Sequence, residues 1–70
     1  MKSRLKVLRA ERDMTQEQLS AVVGVSRYAI NALETERHDP SLDLAYRIAA
    51  AFGARVEDVF PNPYLKDPQT

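Results

Sequence analysis

The stretch that most constrains the fold is TQEQLSAVVGVSRYAINALETE, residues 15–36, because the signals that start a helix occur in it twice. Thr15 can cap a first helix, and Gln18 stands three residues later as the second half of a capping box. Gly24 suits the left-handed conformation that ends a helix. Ser26 then offers a new N-cap almost at once. The stretch therefore predicts two short helices joined by a very short turn, and not one bent helix.

The segments on either side of this stretch also have helical patterns. A first helix is expected over residues 3–12, and a fourth between its N-cap Ser41 and Gly53. A short apolar turn follows at residues 56–60. No segment has the alternating pattern of a β-strand. The sequence thus predicts an all-α protein.

The spacing of apolar residues predicts which faces of the second and third helices turn inward. Such stripes recur at intervals of three and four residues. In the second helix they are Leu19, Val22 and Val23, and in the third helix they are Ala29, Ile30 and Leu33.

The composition bounds the domain count and excludes several classes of protein. The 70 residues are enough for one domain, and their net charge of zero does not by itself indicate a polyanionic partner. There is no cysteine, and the single histidine, His38, cannot hold zinc alone, so neither a metal site nor a cofactor is expected. No phosphate-cradling glycine loop or catalytic cluster is present, which argues against an enzyme.

The pattern of apolar residues also argues against a membrane protein. No apolar run approaches the roughly 20 residues of a membrane span. The charged start, MKSRLKVLRAER, lacks the apolar block of a signal peptide. We therefore expect a cytoplasmic protein.

Two short helices joined by a glycine-containing turn are typical of the helix-turn-helix unit, whose second helix enters the major groove of DNA. The unit needs a small residue where its helices approach, a permissive backbone in the turn and two apolar anchors on the second helix. Counting from Gln16, the fifth, ninth, fifteenth and eighteenth residues meet these needs; they are Ser20, Gly24, Ile30 and Leu33.

The segments TQEQLSAVVGVSRYAINALE, PSLDLAYRIAAAFG and VEDVF together resemble the lambda-repressor-like (Cro/repressor, XRE) helix-turn-helix family. The resemblance covers about residues 3–60. It implies a compact five-helix DNA-binding domain over residues 1–60, with the helix-turn-helix at helices 2 and 3. It also implies a homodimer that binds a palindromic operator with helix 3 in the major groove and regulates transcription, as a repressor or an autoregulator.

The resemblance assigns base reading to outward residues of helix 3, namely Arg27, Tyr28, Asn31 and Ala32. Arginine can donate twice to guanine, asparagine can pair with adenine, and a small apolar side chain such as Ala32 can touch a thymine methyl group. Arg27 could instead hold only a phosphate. Tyr28 could stack on the sugar–phosphate backbone or pack on its own helix, and the sequence does not choose between these.

Phosphate contacts are implied for Gln16, at the start of helix 2, and for Thr35 and Arg37, just after helix 3. Gln16 could also meet a flanking base, or simply face solvent. The sequence departs from the family pattern at Glu36, where glycine usually stands. An acid there repels phosphate, and a residue other than glycine is strained in a left-handed cap.

Arg9 and Glu34 match positions that form an internal ion pair in this family, linking helix 1 to the end of helix 3. The dimer interface is expected near the carboxyl end, where the apolar residues are Val56, Val59, Phe60, Tyr64 and Leu65. The alternative is that the first three only close the core.

The proline-containing tail, residues 61–70, could form part of this interface. The same tail suggests a second function, in which the fold serves as an antitoxin or interaction module and the tail binds a protein partner.

Overall fold

The computed structural model describes residues 1–64, in which five α-helices and no β-strand occur. The helices are α1 (Leu5–Glu11), α2 (Gln16–Val23), α3 (Arg27–Glu34), α4 (Leu42–Ala51) and α5 (Val56–Val59). This architecture confirms the predicted all-α, five-helix fold. Leu65 and the rest of the tail lie outside the described residues.

The first helix begins later than the predicted residues 3–12. The backbone N–H of Leu5 donates to the Ser3 hydroxyl at 3.1 Å, and Arg4 has a non-helical φ of −107° and ψ of 14°. Ser3 therefore lies outside the helix. Its hydroxyl accepts from one of the first-turn N–H groups, which have no partner within the helix.

Side-chain caps fix where the next three helices begin. The Gln18 backbone N–H donates to the Thr15 hydroxyl at 3.0 Å, and the side-chain Oε1 of Gln18 accepts from Thr15 N–H at 2.8 Å, which completes the capping box. Ser26 caps α3 and Ser41 caps α4 in the same way, each accepting from the backbone N–H three residues on. These contacts are local, and so the sequence could predict them.

One core joins all five helices. Its largest fully buried side chains, one from each helix, are Leu5, Leu19, Ile30, Ile48 and Val59. Val22, predicted to face inward, is 65% exposed. The buried face of α2 is centred on Leu19, Ser20 and Val23, and Val22 is rotated about 100° from its neighbour Val23.

Two arginine side chains attach the ends of helices to neighbouring elements. Arg47 of α4 donates to the Val23 carbonyl at 2.9 Å, and Arg12 donates to the Phe52 carbonyl at 2.7 Å. The last carbonyls of a helix have no partner within it, and a cation there also interacts favourably with the helix dipole. The Arg47 contact holds the end of α2 against α4. The Arg12 contact holds the end of α4 against Arg12, the residue that follows α1.

The short helix α5 closes the core, which corrects part of the predicted dimer interface. Val59 and Phe60 are buried, and Val56 is half-buried against the same core, so the first two offer no surface to a second copy. Among the described residues of the predicted set, only Tyr64 is fully accessible, at 91% exposure.

Candidate nucleic-acid interface

The turn between α2 and α3 has the geometry that the sequence spacing required. The Ser20 carbonyl accepts from Gly24 N–H at 2.8 Å and from Val25 N–H at 3.1 Å. Gly24 has a φ of 83°, a left-handed conformation that costs other residues roughly 1–2 kcal/mol. Ser20 is buried, as are the two anchors of α3, Ile30 and Leu33. The turn thus fixes α3 at a set angle to α2 with its opposite face outward.

The outward face of α3 carries Arg27 and Tyr28, which are exposed, and Asn31, which is half-buried. Within residues 1–64 Arg27 has no ion-pair partner. It lines an open groove of about 470 Å³ together with Gln16 and Thr15 at the start of α2. The five N–H donors of a guanidinium are therefore available here to an external acceptor.

Ala32 does not belong to this face, and the prediction that it lies on the outer edge is wrong. Its side chain is 2% exposed. The helical position alone does point outward, but the chain after α3 folds back over it. Arg37 N–H donates to the Ala32 carbonyl at 3.0 Å, and the loop residues His38 and Pro40 line the same small cavity as Ala32.

Gln16 and Thr35, two of the predicted phosphate ligands, make contacts within the protein. The Gln16 amide nitrogen donates to the Glu34 carboxylate at 3.1 Å, and Gln16 is half-buried. The Thr35 hydroxyl donates to the Asn31 carbonyl at 2.9 Å. Gln16 is therefore not a solvent-facing helix starter, since it supports the end of α3.

Arg37, the third predicted phosphate ligand, lies across the outward face of α3. Its Nε donates to the Thr35 hydroxyl at 3.0 Å and its Nη2 donates to Asn31 Oδ1 at 3.1 Å. The centre of its guanidinium is 5.7 Å from the centre of the Tyr28 ring, within cation–π range. We call these four residues, Tyr28, Asn31, Thr35 and Arg37, the Arg37 cluster. No spacing rule signals this cluster, because it forms only when the loop after α3 turns back.

Glu36 is left-handed, with a φ of 61°, as the glycine it replaces would be. Its carboxylate accepts from Ser3 N–H at 3.0 Å and is thus directed toward the N-terminal segment. Asp39, in the same loop, pairs with the N-terminal ammonium group at 2.8 Å. Both loop carboxylates have a partner within the chain, which reduces the repulsion that either would exert on a phosphate.

Arg9 and Glu34 form an ion pair beneath this interface. Nε and Nη2 of Arg9 donate to the two carboxylate oxygens of Glu34, the second at 2.9 Å, and Nη1 donates to the Met14 carbonyl at 2.7 Å. The side chains are 14% and 4% exposed. With Gln16 as a further donor, this network ties α1 and the start of α2 to the end of α3.

The network shifts the ionisation of both partners toward their charged forms. Burial acts to raise the pKa of Glu34, but hydrogen bonds from Arg9 and Gln16 and the charge of Arg9 outweigh it, and the pKa falls below its ordinary value. The hydrogen bond with Glu34 raises the pKa of Arg9. The pair is therefore fully charged at neutral pH, and its balance depends on both members being present.

Apolar side chains are also exposed away from α3, on a second surface. Leu42 and Tyr46, one turn apart on α4, are 68% and 61% exposed. Leu42 lines an apolar groove of about 350 Å³ with Val56 and Tyr64. We call these four residues the α4–α5 surface.

The family model described as helix-turn-helix matches residues 5–59. The chain belongs to the helix-turn-helix family. The resemblance to lambda-repressor-like, XRE-type proteins is thereby confirmed, and the chain is one of a family of DNA-binding transcriptional regulators.

Relatives of this helix-turn-helix chain come from archaea, bacteria and a phage. An uncharacterized HTH-type transcriptional regulator of Methanocaldococcus jannaschii is 50% identical over 60 residues, which cover 86% of this chain and 91% of the relative. A Bacillus subtilis protein of the same description, YgzD, is 45% identical over 60 residues, which again cover 86% of this chain and 91% of the relative. The immunity repressor of Bacillus phage phi105 is 36% identical over 80% of this chain and 39% of its own length.

A solved structure of a hypothetical transcription factor from Neisseria, NHTF, resembles the helix-turn-helix chain with a TM-score of 0.67 at 28% identity. The alignment covers 71% of this chain and 56% of the Neisseria chain. Within residues 1–64 no helix is long and apolar enough to cross a membrane. The same part of the chain has no group of three or more His, Asp or Glu residues placed to hold a metal ion.

Proposed function

We propose that this helix-turn-helix protein is a sequence-specific regulator of transcription that binds operator DNA with α3 in the major groove. The observation that carries the proposal is the outward face of α3. There Arg27, without an ion-pair partner in residues 1–64, stands beside Tyr28 and Asn31 on a helix whose other face is locked into the core. Recognition helices contact base edges with their N-terminal residues, and Arg27 is the first residue of α3.

In this proposal Arg27 donates twice to the O6 and N7 atoms of a guanine, the commonest specific contact in the major groove. Tyr28 and Asn31 read the neighbouring positions. Gln16 contacts a phosphate through its second amide N–H, since the first is held by Glu34. The backbone N–H groups at the start of α2 add a favourable dipole at the same place.

The protein binds as a homodimer to a palindromic operator, and the α4–α5 surface forms the interface. Leu42, Tyr46, Val56 and Tyr64 are the described apolar residues that support this assignment. Of the predicted tail, residues 61–70, only residues 61–64 are described, and among them Tyr64 extends the interface beyond the domain of residues 1–60. A two-fold dimer would read half-sites about 34 Å apart, which is about one turn of DNA.

Regulation by this dimer is negative, as a repressor or an autoregulator acting in the cytoplasm. The similarity to a phage immunity repressor, over 80% of this chain, supports this direction of control.

The test is binding to a duplex of the protein's own promoter region and to a scrambled duplex, across a series of salt concentrations. We expect preference for the promoter and an affinity that falls steeply as salt rises, because phosphate contacts release counterions. Arg27→Ala should lose most of the preference, by about 1–3 kcal/mol at its base position.

The matched control is Arg55→Ala, which removes the same charge at an exposed position before α5. It should keep the preference for the promoter. Equal and weak binding of the unaltered protein to both duplexes would contradict the proposal. The protein-interaction role, with the tail as the binding segment, would then be the function to test.

A further inference from the structure

The Arg37 cluster holds the side chain of Asn31 in one orientation. A guanidinium has only donors, and an asparagine amide has an oxygen that accepts and a nitrogen that donates. The Asn31 atom that faces Arg37 at 3.1 Å is therefore the oxygen, and the amide nitrogen is turned away from Arg37. Rotating the amide by half a turn would set two donors against each other.

Arg37 is itself held at three points, so it does not simply follow Asn31. Its Nε is fixed on the Thr35 hydroxyl, which is fixed in turn by the Asn31 carbonyl, and its flat guanidinium lies near the Tyr28 ring. A planar fork with several donors in fixed directions can make these contacts together, whereas the ammonium group of a lysine cannot.

Resting on the proposed function, we propose that Arg37 is a positioning residue for base reading, which fixes Asn31 as a hydrogen-bond donor toward DNA. A free asparagine pairs with adenine through both its oxygen and its nitrogen. Arg37 engages one of the two lone pairs of Oδ1 and leaves the amide nitrogen turned away from itself, so the amide N–H groups are held in one direction. Held as a donor, Asn31 favours a base edge with an exposed acceptor, such as the N7 of a purine.

This role differs from that of a phosphate contact in what it predicts. A phosphate contact weakens binding about uniformly across sequences when it is removed, and it lowers the salt slope by about 1. A positioning residue changes the base preference at one place in each half-site. The two roles are therefore separable by measuring base preference and salt slope on the same variants.

The experiment begins by selecting bound sequences from a randomised duplex pool with the full chain. Affinities are then measured for every single-base variant of the selected site. The position read by Asn31 is the one whose preference disappears in Asn31→Ala. At that position we expect Arg37→Ala to reduce the preference about fivefold or more, and to cause no further loss of preference in the Asn31→Ala background.

The matched control is Arg37→Lys, which keeps the positive charge and lacks the planar fork. We expect Arg37→Lys to keep the salt slope of the unaltered protein. It should nevertheless lose the base preference to the same extent as Arg37→Ala does. All variants change side chains at exposed or half-buried positions, and their thermal unfolding is measured to establish that they fold.

Uniform weakening with an unchanged pattern of base preference would overturn the inference and identify Arg37 as a phosphate contact. An Asn31→Ala variant that keeps every preference would also overturn it, because Asn31 would then read no base. Failure of the proposed function is distinct, since in that case the unaltered protein selects no common sequence from the pool.

Discussion

Glu34 is the residue whose loss has the clearest predicted consequence. Its side chain is 4% exposed, and its carboxylate accepts hydrogen bonds from Arg9 and Gln16. Glu34→Gln leaves the Arg9 charge without its partner in a partly buried place, which costs about 3–5 kcal/mol. For a domain of this size the melting temperature should fall by about 12 °C or more, measured by circular dichroism.

The pH dependence of stability provides the control for this prediction. The pKa of Glu34 in the folded protein lies below its ordinary value of 4.5. The ion pair therefore contributes stability that is present above that pH and is lost as the pH falls through the folded pKa. Glu34→Gln should lack this part of the acid transition. An unchanged melting temperature at pH 7 would contradict the structural role of the pair.

The limits of sequence reasoning are also clearest for single residues. The family resemblance predicts the ion pair between Arg9 and Glu34. Nothing in the sequence indicates that Gln16 also contacts this pair. The family resemblance places Ala32 on the outer edge of helix 3, yet the returning loop covers it. Contacts that depend on a loop's path have no local signal in the sequence.

At the scale of the helix, α3 depends on its N-cap for its fixed start. The Ser26 hydroxyl accepts from Ala29 N–H at 3.0 Å, and the base-reading residue Arg27 follows at once. Ser26→Ala should destabilise the fold by about 1 kcal/mol, because that N–H loses its partner. Denaturation by urea, with an unchanged slope, measures this loss.

The same cap should affect DNA binding beyond its effect on stability, because it fixes the first turn of α3. Ser41→Ala is the matched control, since it removes an equivalent cap from α4, a helix that carries none of the proposed base-reading residues. Because α4 also carries Leu42 of the α4–α5 surface, binding is measured on a half-site duplex, where the dimer makes no contribution. We expect similar losses of stability in the two variants, and weaker half-site binding at 25 °C only in Ser26→Ala. Equal half-site affinities would show that the cap has no role in presenting Arg27.

The helices were predictable to the extent that their signals are local. Capping residues and glycine predicted the starts of α2, α3 and α4 and the end of α2, and the structure has them there. The apolar stripe of α2 has no unique signal in the sequence, because an eight-residue helix offers several arrangements of its apolar residues. Val22 is exposed since α3 and α4 pack on the side of Ser20, and that choice is made by the tertiary fold.

At the scale of the whole molecule, sequence alone could not divide the carboxyl-terminal apolar residues between core and surface. Val59 and Phe60 are buried, because α5 turns back onto α4 and onto the residues before α1, where Arg4 N–H donates to the Val59 carbonyl at 2.8 Å. At this end of the molecule the exposed apolar residues are instead Leu42 and Tyr46 on α4 and Tyr64 after α5. A proposed dimer interface therefore has to be built from Leu42, Tyr46 and Tyr64, two of which the sequence did not single out.

Leu42→Glu tests this interface without endangering the fold. The side chain is 68% exposed and lies in the first turn of α4, where a negative charge interacts favourably with the helix dipole. In a two-fold dimer the substitution would bring two like charges into an apolar contact. We therefore expect an unchanged melting temperature for the monomer and a loss of the dimer in sedimentation equilibrium.

Binding to DNA then distinguishes loss of the dimer from damage to the reading face. Leu42→Glu should bind a half-site duplex as the unaltered protein does, and a palindromic duplex about 100-fold more weakly, because the second half-site no longer adds avidity. Val7→Glu makes the same kind of change at an exposed position of α1, outside the α4–α5 surface, and this variant should remain dimeric. If the unaltered protein sediments as a monomer at high concentration, or if Leu42→Glu remains a dimer, the interface does not lie on the α4–α5 surface.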